Sequence, residues 1–160
     1  MKILVFSDSH SNSHRIKEAI DLHHAKCDCI IFLGDGIKDA EYVKEQYPQI
    51  PFFIVKGNCD FFARDYEDEN LICLENFKIF ITHGHLYGAK SGCSRLAYRA
   101  RELGADAVFF GHTHIPLDDM VEIADKKIRL FNPGSIGLNG SFGVVNTSGE
   151  VLVTSHGILS

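Results

Sequence analysis

Positive charge is in short supply: 16 Lys and Arg stand against 21 Asp and Glu, a net of −5 with histidine neutral. A chain so balanced lacks the basic surface by which nucleic acid and anionic membranes are held. Long apolar runs are missing too. None approaches the ~20 residues that span a bilayer, and the opening MKILVF is too short for the apolar region of a signal peptide. The five cysteines, at 27, 29, 59, 73 and 93, are odd in number and form no Cys-x-x-Cys. They read as reduced thiols in a cytoplasmic protein, most of them small buried apolar side chains. Proline is scarce, at 48, 51, 116 and 133, and no linker, repeat or low-complexity segment interrupts the chain. One domain over 1–160 is the expectation at this length.

What is present is a globular balance, 45% apolar and 23% charged, arranged in a rhythm. Apolar runs at 2–6, 28–33 and 52–55 alternate with helical patterns at 13–25 and 38–47. In the first of these, Ile16, Ala19, Ile20 and His23 line one face, and Asn12 or Ser13 is placed to cap it. Pro48 ends the second. Nearly continuous apolar strands in a β-α-β-α-β order predict a parallel sheet covered on both faces. The second half is different. Runs at 71–74 and 77–82 flank a Glu75-Asn76 turn, and a helix is predicted over 90–103 with Gly104 closing it. After a buried run at 107–110 come strands near 119–124, 128–132, 142–146 and 150–155, turned at Asp125-Lys126 and Ser148-Gly149. Two sheets packed face to face with helices outside account for all of these segments.

The chemistry collects where apolar runs stop. They end in Ser7-Asp8-Ser9-His10, Gly34-Asp35, Gly57-Asn58-Cys59-Asp60, His83-Gly84-His85, Gly111-His112-Thr113-His114 and Asn132-Pro133-Gly134-Ser135. Ligand sites of α/β sheets form beyond the carboxyl ends of the strands. So many imidazoles delivered to one edge, beside carboxylates, point to metal. Asp and His with one Asn carbonyl suit Mn, Fe, Zn, Co or Ni, whereas magnesium and calcium favour all-oxygen sites. Seven candidates (Asp8, His10, Asp35, Asn58, His83, His112 and His114) exceed the needs of one ion, and two ions sharing a carboxylate would use them.

In this order the blocks Asp8-x-His10, Gly34-Asp35, Gly57-Asn58, His83 and Gly111-His112-x-His114 resemble those of the calcineurin-like metallophosphoesterase superfamily. His-Gly-His, Gly-His-Thr-His-x-Pro and Asn-Pro-Gly-Ser are similar to its small bacterial and archaeal phosphodiesterase branch. The resemblance implies an α/β fold, a four-layer αββα sandwich of two mixed β-sheets flanked by helices. It implies two divalent ions, with manganese the first choice. One would be held by Asp8, His10, Asp35 and His114, the other by Asp35, Asn58, His83 and His112, and Asp35 would bridge. It further implies hydrolysis of a small phosphodiester by a metal-bridged hydroxide. Two such ions against two carboxylates leave a locally positive hole for phosphate in an acidic protein.

One departure stands out. Many larger relatives carry His after the Gly-Asn, where this chain has Cys59, expected to be a buried thiol and a weak proton donor. Diesters with good leaving groups are the expected substrates, with His85 a partial replacement for the missing imidazole. Asp35, Asn58, Cys59 and His85 are thus the catalytic candidates. Residues 60–70 and 85–93 are expected to set substrate choice. His14, His23, His24 and His156 read as helix or surface residues, Lys90, Arg95, Arg99 and Arg101 as a solvated basic stretch, and Asn132-Pro133-Gly134-Ser135 as a turn behind the site. The alternatives are a phosphomonoesterase of the same fold, or a metal-binding scaffold for protein interaction. Extended nucleic acid and membrane are not expected partners, and the sequence does not set the oligomeric state.

Overall fold

The computed structural model describes residues 1–160, the side chain of His24 excepted. Strand β1 (Lys2–Phe6) leads through α1 (Ser13–His23) to β2 (Cys29–Phe32), and that through α2 (Ile37–Gln46) to β3 (Phe52–Ile54). These three strands are parallel neighbours, with Leu4 opposite Ile30 and Ile30 opposite Phe52. The antiparallel pair β9 (Ser141–Ser148) and β10 (Val151–Ile158) extends the sheet on the far side of β1, giving the order β10-β9-β1-β2-β3. The second sheet runs β4 (Glu69–Leu74), β5 (Phe77–Thr82), β6 (Ala107–Phe109), β8 (Lys126–Asn132), β7 (Leu117–Ile123). Within it β5, β6 and β8 are parallel and the two outer strands antiparallel. Both sheets are therefore mixed, as expected from the resemblance.

Alternation along the strands separates three apolar layers. Ile3, Val5, Ile31 and Val55 meet Ile79, Ile81, Phe109 and Phe131 between the sheets. Leu4, Phe6, Ile30 and Phe32 point outward onto Ile16, Ala19 and Ile20 of α1 and Ala40 and Val43 of α2. Phe80, Val108 and Leu130 point out of the second sheet onto Leu96, Ala97 and Ala100 of α3 (Ser94–Glu102). The result is helix, sheet, sheet, helix.

Four expectations shift. The helix predicted over 90–103 is shorter, because Gly88 and Gly92 at φ 61° and 135° break the chain into 3-10 turns at His85–Tyr87 and Ala89–Ser91 before α3 begins. Gly104, at φ 68°, follows its end. The β7–β8 turn is Ala124-Asp125, both left-handed at φ 48° and 65°, the geometry of a type I′ hairpin. The β9–β10 turn is Gly149-Glu150, since Ser148 pairs with Val151. Of the five free cysteines only Cys29 is buried; Cys59 and Cys73 are exposed, so the expectation of mostly buried thiols fails, for Cys59 in particular.

Candidate metal centre

The carboxyl ends of β1, β2, β3, β5 and β6 open onto one edge shared by the two sheets. Five of the seven candidate ligands there occupy the left-handed region: Asp8 (φ 55°), His10 (44°), Asp35 (58°), His112 (67°) and His114 (62°). Non-glycine residues adopt it rarely and at a cost, and such strain gathers at functional sites. The sharp reversals answer a geometric problem. In Asp8-x-His10 and His112-x-His114 a straight strand would carry both side chains on one face, whereas a turning end aims them inward from separate directions. The preceding glycines have a related cause. A Cβ on Gly57 would overlap the Asp35 carboxylate, and one on Gly111 would overlap the Ser7 hydroxyl and Asp8.

Two clusters result. Asp8 Oδ1 lies 3.1 Å from His114 Nε2 and 3.6 Å from His10 Nε2, whose own separation is 3.4 Å. Asp35 Oδ2 lies 3.3 Å from His83 Nε2, which is 3.8 Å from Asp8 Oδ1. Asp8, His10 and His114 could hold one ion, and Asp8, Asp35 and His83 another. Asp35 Oδ2 also stands 4.0 Å from His10 Nε2, so both carboxylates sit between the two imidazole groups. The His112 ring packs edge-on to His83 with centroids 5.1 Å apart. Asn58 is exposed at the mouth, its amide 3.6 Å from Cys59 Sγ; among the described residues no hydrogen bond joins it to the other six. His85 is half-buried, its ring centroid 5.4 Å from His83 and 6.1 Å from His112, with Nδ1 buried and without a partner.

The donor set fits cations for a reason visible at His83. Its ring has no exposed surface, and Nδ1 lies 2.6 Å from the Leu33 carbonyl oxygen, to which it donates. Nε2 is buried without a hydrogen-bond partner and faces two carboxylates. A ring nitrogen and two anions confronting one another out of water need positive charge among them, a proton or a cation. Metal-binding imidazoles are fixed in this way, the second nitrogen bonded to a carbonyl or carboxylate. The side chains respond to the same field. Burial disfavours the charged His83 ring, yet Asp35 and Asp8 raise its pKa. Burial alone would raise Asp35, but the His83 ring and the Cys59 backbone N–H at 2.8 Å hold it well below the usual carboxylate range. Burial, then the neighbouring His83, lowers His85, and the same two causes lower His112.

The supporting shell is mostly backbone. Asp8 accepts from Ser7 Oγ at 2.6 Å and from the His112 N–H at 3.1 Å. Ser135 Oγ donates to the Asp8 carbonyl, and Asn132 Nδ2 to the Gly111 carbonyl, so the Asn132–Ser135 turn does back the site. Asn12 stands immediately before α1, its carbonyl accepting from the Arg15 N–H, and its side-chain amide donates to the carbonyls of Ser9 and His10. The residue that sequence reasoning missed is Asp60. Its carboxylate accepts four N–H groups, from Asp35 (2.7 Å), Gly36 (2.9 Å), Ile37 (3.0 Å) and Gly57 (2.8 Å). It thereby ties two metal-facing loops together and caps α2. A carboxylate two residues after the Gly-Asn was its only signal.

The remaining polar candidates stay outside. His14, His23 and His156 do not enter the cluster: His23 contacts Lys2 and Phe142, and His156, in β10, stacks on Phe131 of β8. The side chain of His24 lies outside the described ones. Arg99 pairs with Glu69 and Glu102, and Arg101 donates to the Ile123 carbonyl, which leaves Lys90 and Arg95 of the basic stretch.

Residues 1–150 match the family model for the calcineurin-like phosphoesterase superfamily domain. The chain is 40% identical over 139 residues to the probable metallophosphoesterase YsnB of Bacillus subtilis, covering 86% of this chain and 76% of that one. It is 26% identical to the phosphodiesterase YfcE of Escherichia coli K12, over 86% and 80% of the two chains. Among solved structures, a predicted phosphoesterase from Streptococcus pneumoniae TIGR4 superposes with a TM-score of 0.78 at 28% identity, covering 97% and 87%. A single mutant of Vps29 from Entamoeba histolytica shares the fold with a TM-score of 0.75 at 23% identity, covering 98% and 91%.

Proposed function

The chain belongs to the calcineurin-like phosphoesterase superfamily, and we propose that it is a phosphodiesterase acting at a centre of two divalent cations, manganese first, with Zn, Fe, Ni and Co as the alternatives. The observation that carries this is the unpartnered, buried His83 Nε2 facing Asp35 and Asp8, continued by His10 and His114 around the same Asp8 oxygen. Asp8, His10 and His114 would hold one cation, Asn58, His83 and His112 the other, and Asp35 both. Bound there, the cations supply positive charge for phosphoryl oxygens and bring the pKa of water from ~15.7 toward ~7.

The chain's own groups do the rest. The Cys59 backbone N–H and Asp60 hold the Asp35 carboxylate and its loop in place. The Cys59 thiol is exposed beside the carboxylates, and partial burial followed by the Asp35 charge raises its pKa. At the mouth a thiol is a weak hydrogen-bond donor where an imidazolium would protonate a leaving alkoxide. That chemistry favours diesters with good leaving groups over monoesters, in keeping with the name of YfcE. His85, its ring centroid 6.1 Å from that of His112, is the imidazole outside the ligand set that packs against it and could pass a proton. The net charge of −5 supports a small substrate rather than extended nucleic acid. Five free cysteines support a reducing, cytoplasmic setting; no helix is long and apolar enough to cross a membrane.

Fold likeness to Vps29 keeps a protein-binding scaffold as the second reading. The deciding experiment strips the protein with chelator, reloads it with Mn, Zn, Fe, Co or Ni, and assays bis(4-nitrophenyl) phosphate against 4-nitrophenyl phosphate. Diester turnover that requires added metal and exceeds monoester turnover is expected. Faster monoester turnover would assign a phosphomonoesterase, and inactivity with every ion would assign the scaffold.

A further inference from the structure

A cavity adjoins the metal centre and has a wall that the reaction chemistry does not explain. It encloses about 460 Å³, with His10, Asp35 and Cys59 at one end and Phe61, Phe62 and Tyr66 along the side. Phe61 and Phe62 are 81% and 87% exposed, although Phe6, Phe32, Phe80, Phe109 and Phe131 of the apolar layers are buried. Water contact for two adjacent phenyl rings is unfavourable, and apolar surface left open at a concave site marks binding.

The loop that presents the rings is held, not loose. At its start Asp60 accepts its four N–H groups from the loops of Asp35 and Gly57. Within it Ala63 N–H donates to the Asp60 carbonyl and Arg64 N–H to the Phe62 carbonyl. At its far side Tyr66 Oη donates to Glu41 Oε1 of α2 at 3.1 Å. The aromatic wall is thereby fixed relative to Asp35, so a group bound along it is placed relative to phosphorus.

The charges on the groove narrow its occupant. Lys38 and Arg64 are cationic, but Asp39, Glu41 and Asp65 share the lining. Asp39 is committed to Ser9 Oγ and the Ser11 N–H, and Glu41 to Tyr66. A mixed rim of this kind does not favour a second phosphate, which excludes a polyanionic extension of the substrate. A flat uncharged ring suits it, because each aromatic wall residue offers a face for stacking.

We propose that this groove binds an aromatic ester group, aryl or nucleobase-bearing, of the diester whose phosphoryl group lies at the Asp35 end. The inference rests on the phosphodiesterase reading, and its test separates the two. On the manganese-loaded full chain, kcat/KM is compared for 4-nitrophenyl phenyl phosphate and 4-nitrophenyl methyl phosphate, each normalised to its uncatalysed rate. The leaving group is common to both, so the ratio reports the second ester group alone. A phenyl preference of roughly tenfold is expected, within the range of one stacked ring. The Phe61→Ala/Phe62→Ala double variant should bring that ratio close to one; both rings are exposed, and an unchanged thermal midpoint checks the fold. Calorimetric titration with phenylphosphonate and methylphosphonate gives a readout without turnover, with the same preference and the same loss. Equal rates for the two diesters together with equal phosphonate affinities, or a preference intact in the double variant, overturns the inference. Absence of diester turnover with the phosphonate preference preserved overturns the phosphodiesterase reading and leaves the groove assignment standing.

Discussion

The slab between the two sheets and the rim at the carboxyl ends of the same strands are buried alike and built of opposite chemistry. Val5, Phe109 and Phe131 have no exposed surface, and neither do Asp8 and His83, while Asp35 retains 3%. In the slab, removal of apolar area from water stabilises by about 25 cal/mol per Å². In the rim, the same removal from water opposes folding unless each charge finds partners. Hence the density of N–H donors around Asp8, Asp35 and Asp60, and hence the orphaned His83 nitrogen. The backbone divides in the same way, extended in the slab and left-handed at five of the candidate ligands on the rim. Stability made in the slab offsets the strain and desolvation that the rim accumulates.

Substitutions on either side of this boundary should separate stability from chemistry. Phe131→Ala, in the slab and edge-on to Phe109, is expected to cost about 3–5 kcal/mol by denaturant titration, with metal content retained in the folded fraction. A small loss of stability would blur the boundary. Asp35→Asn, in the rim, should cut metal-dependent turnover by more than about a hundredfold, a loss that even outer partners of metal ligands can cause. Elemental analysis should find at least one ion fewer per chain; a fully loaded, active variant would remove the shared role of Asp35. Cys59→His should speed diesters with poor leaving groups, by up to about a hundredfold at the low end of general acid catalysis. The plot of rate against leaving-group pKa should flatten, and an unchanged slope would leave Cys59 without a part in the chemistry. Asp60→Asn keeps the shape but replaces one acceptor oxygen with an N–H donor, so two of the four N–H groups lose their partner, and metal affinity should fall by about tenfold with the ligands intact. Equal affinity by competitive chelation would make Asp60 a helix cap alone.

Much of this layout could be read along the chain. Strand positions such as 2–6 and 77–82 emerge as predicted, because apolar runs bounded by polar residues have few other homes. The polar residues gathered at the rim could be listed in advance because strands deliver their side chains where they stop. Ala124-Asp125 was missed because an alanine gives no hint of positive φ. Cys59 was misplaced because exposure depends on the whole mouth, not on its neighbours. Asp60 was passed over because its partners Asp35, Gly36 and Ile37 lie more than twenty residues away.

Periodicity, composition and the residues at the strand ends determined the layered α/β architecture and the supply of imidazoles and carboxylates, since these follow from local burial and spacing. Only the tertiary structure decided which oxygen faces which nitrogen, that His83 points an unpartnered ring nitrogen at two carboxylates, and that Phe61 and Phe62 stand open beside them. Those relations join distant segments, and the physical reason is that a field, a void or an unmet hydrogen bond exists only once the chain has closed around it.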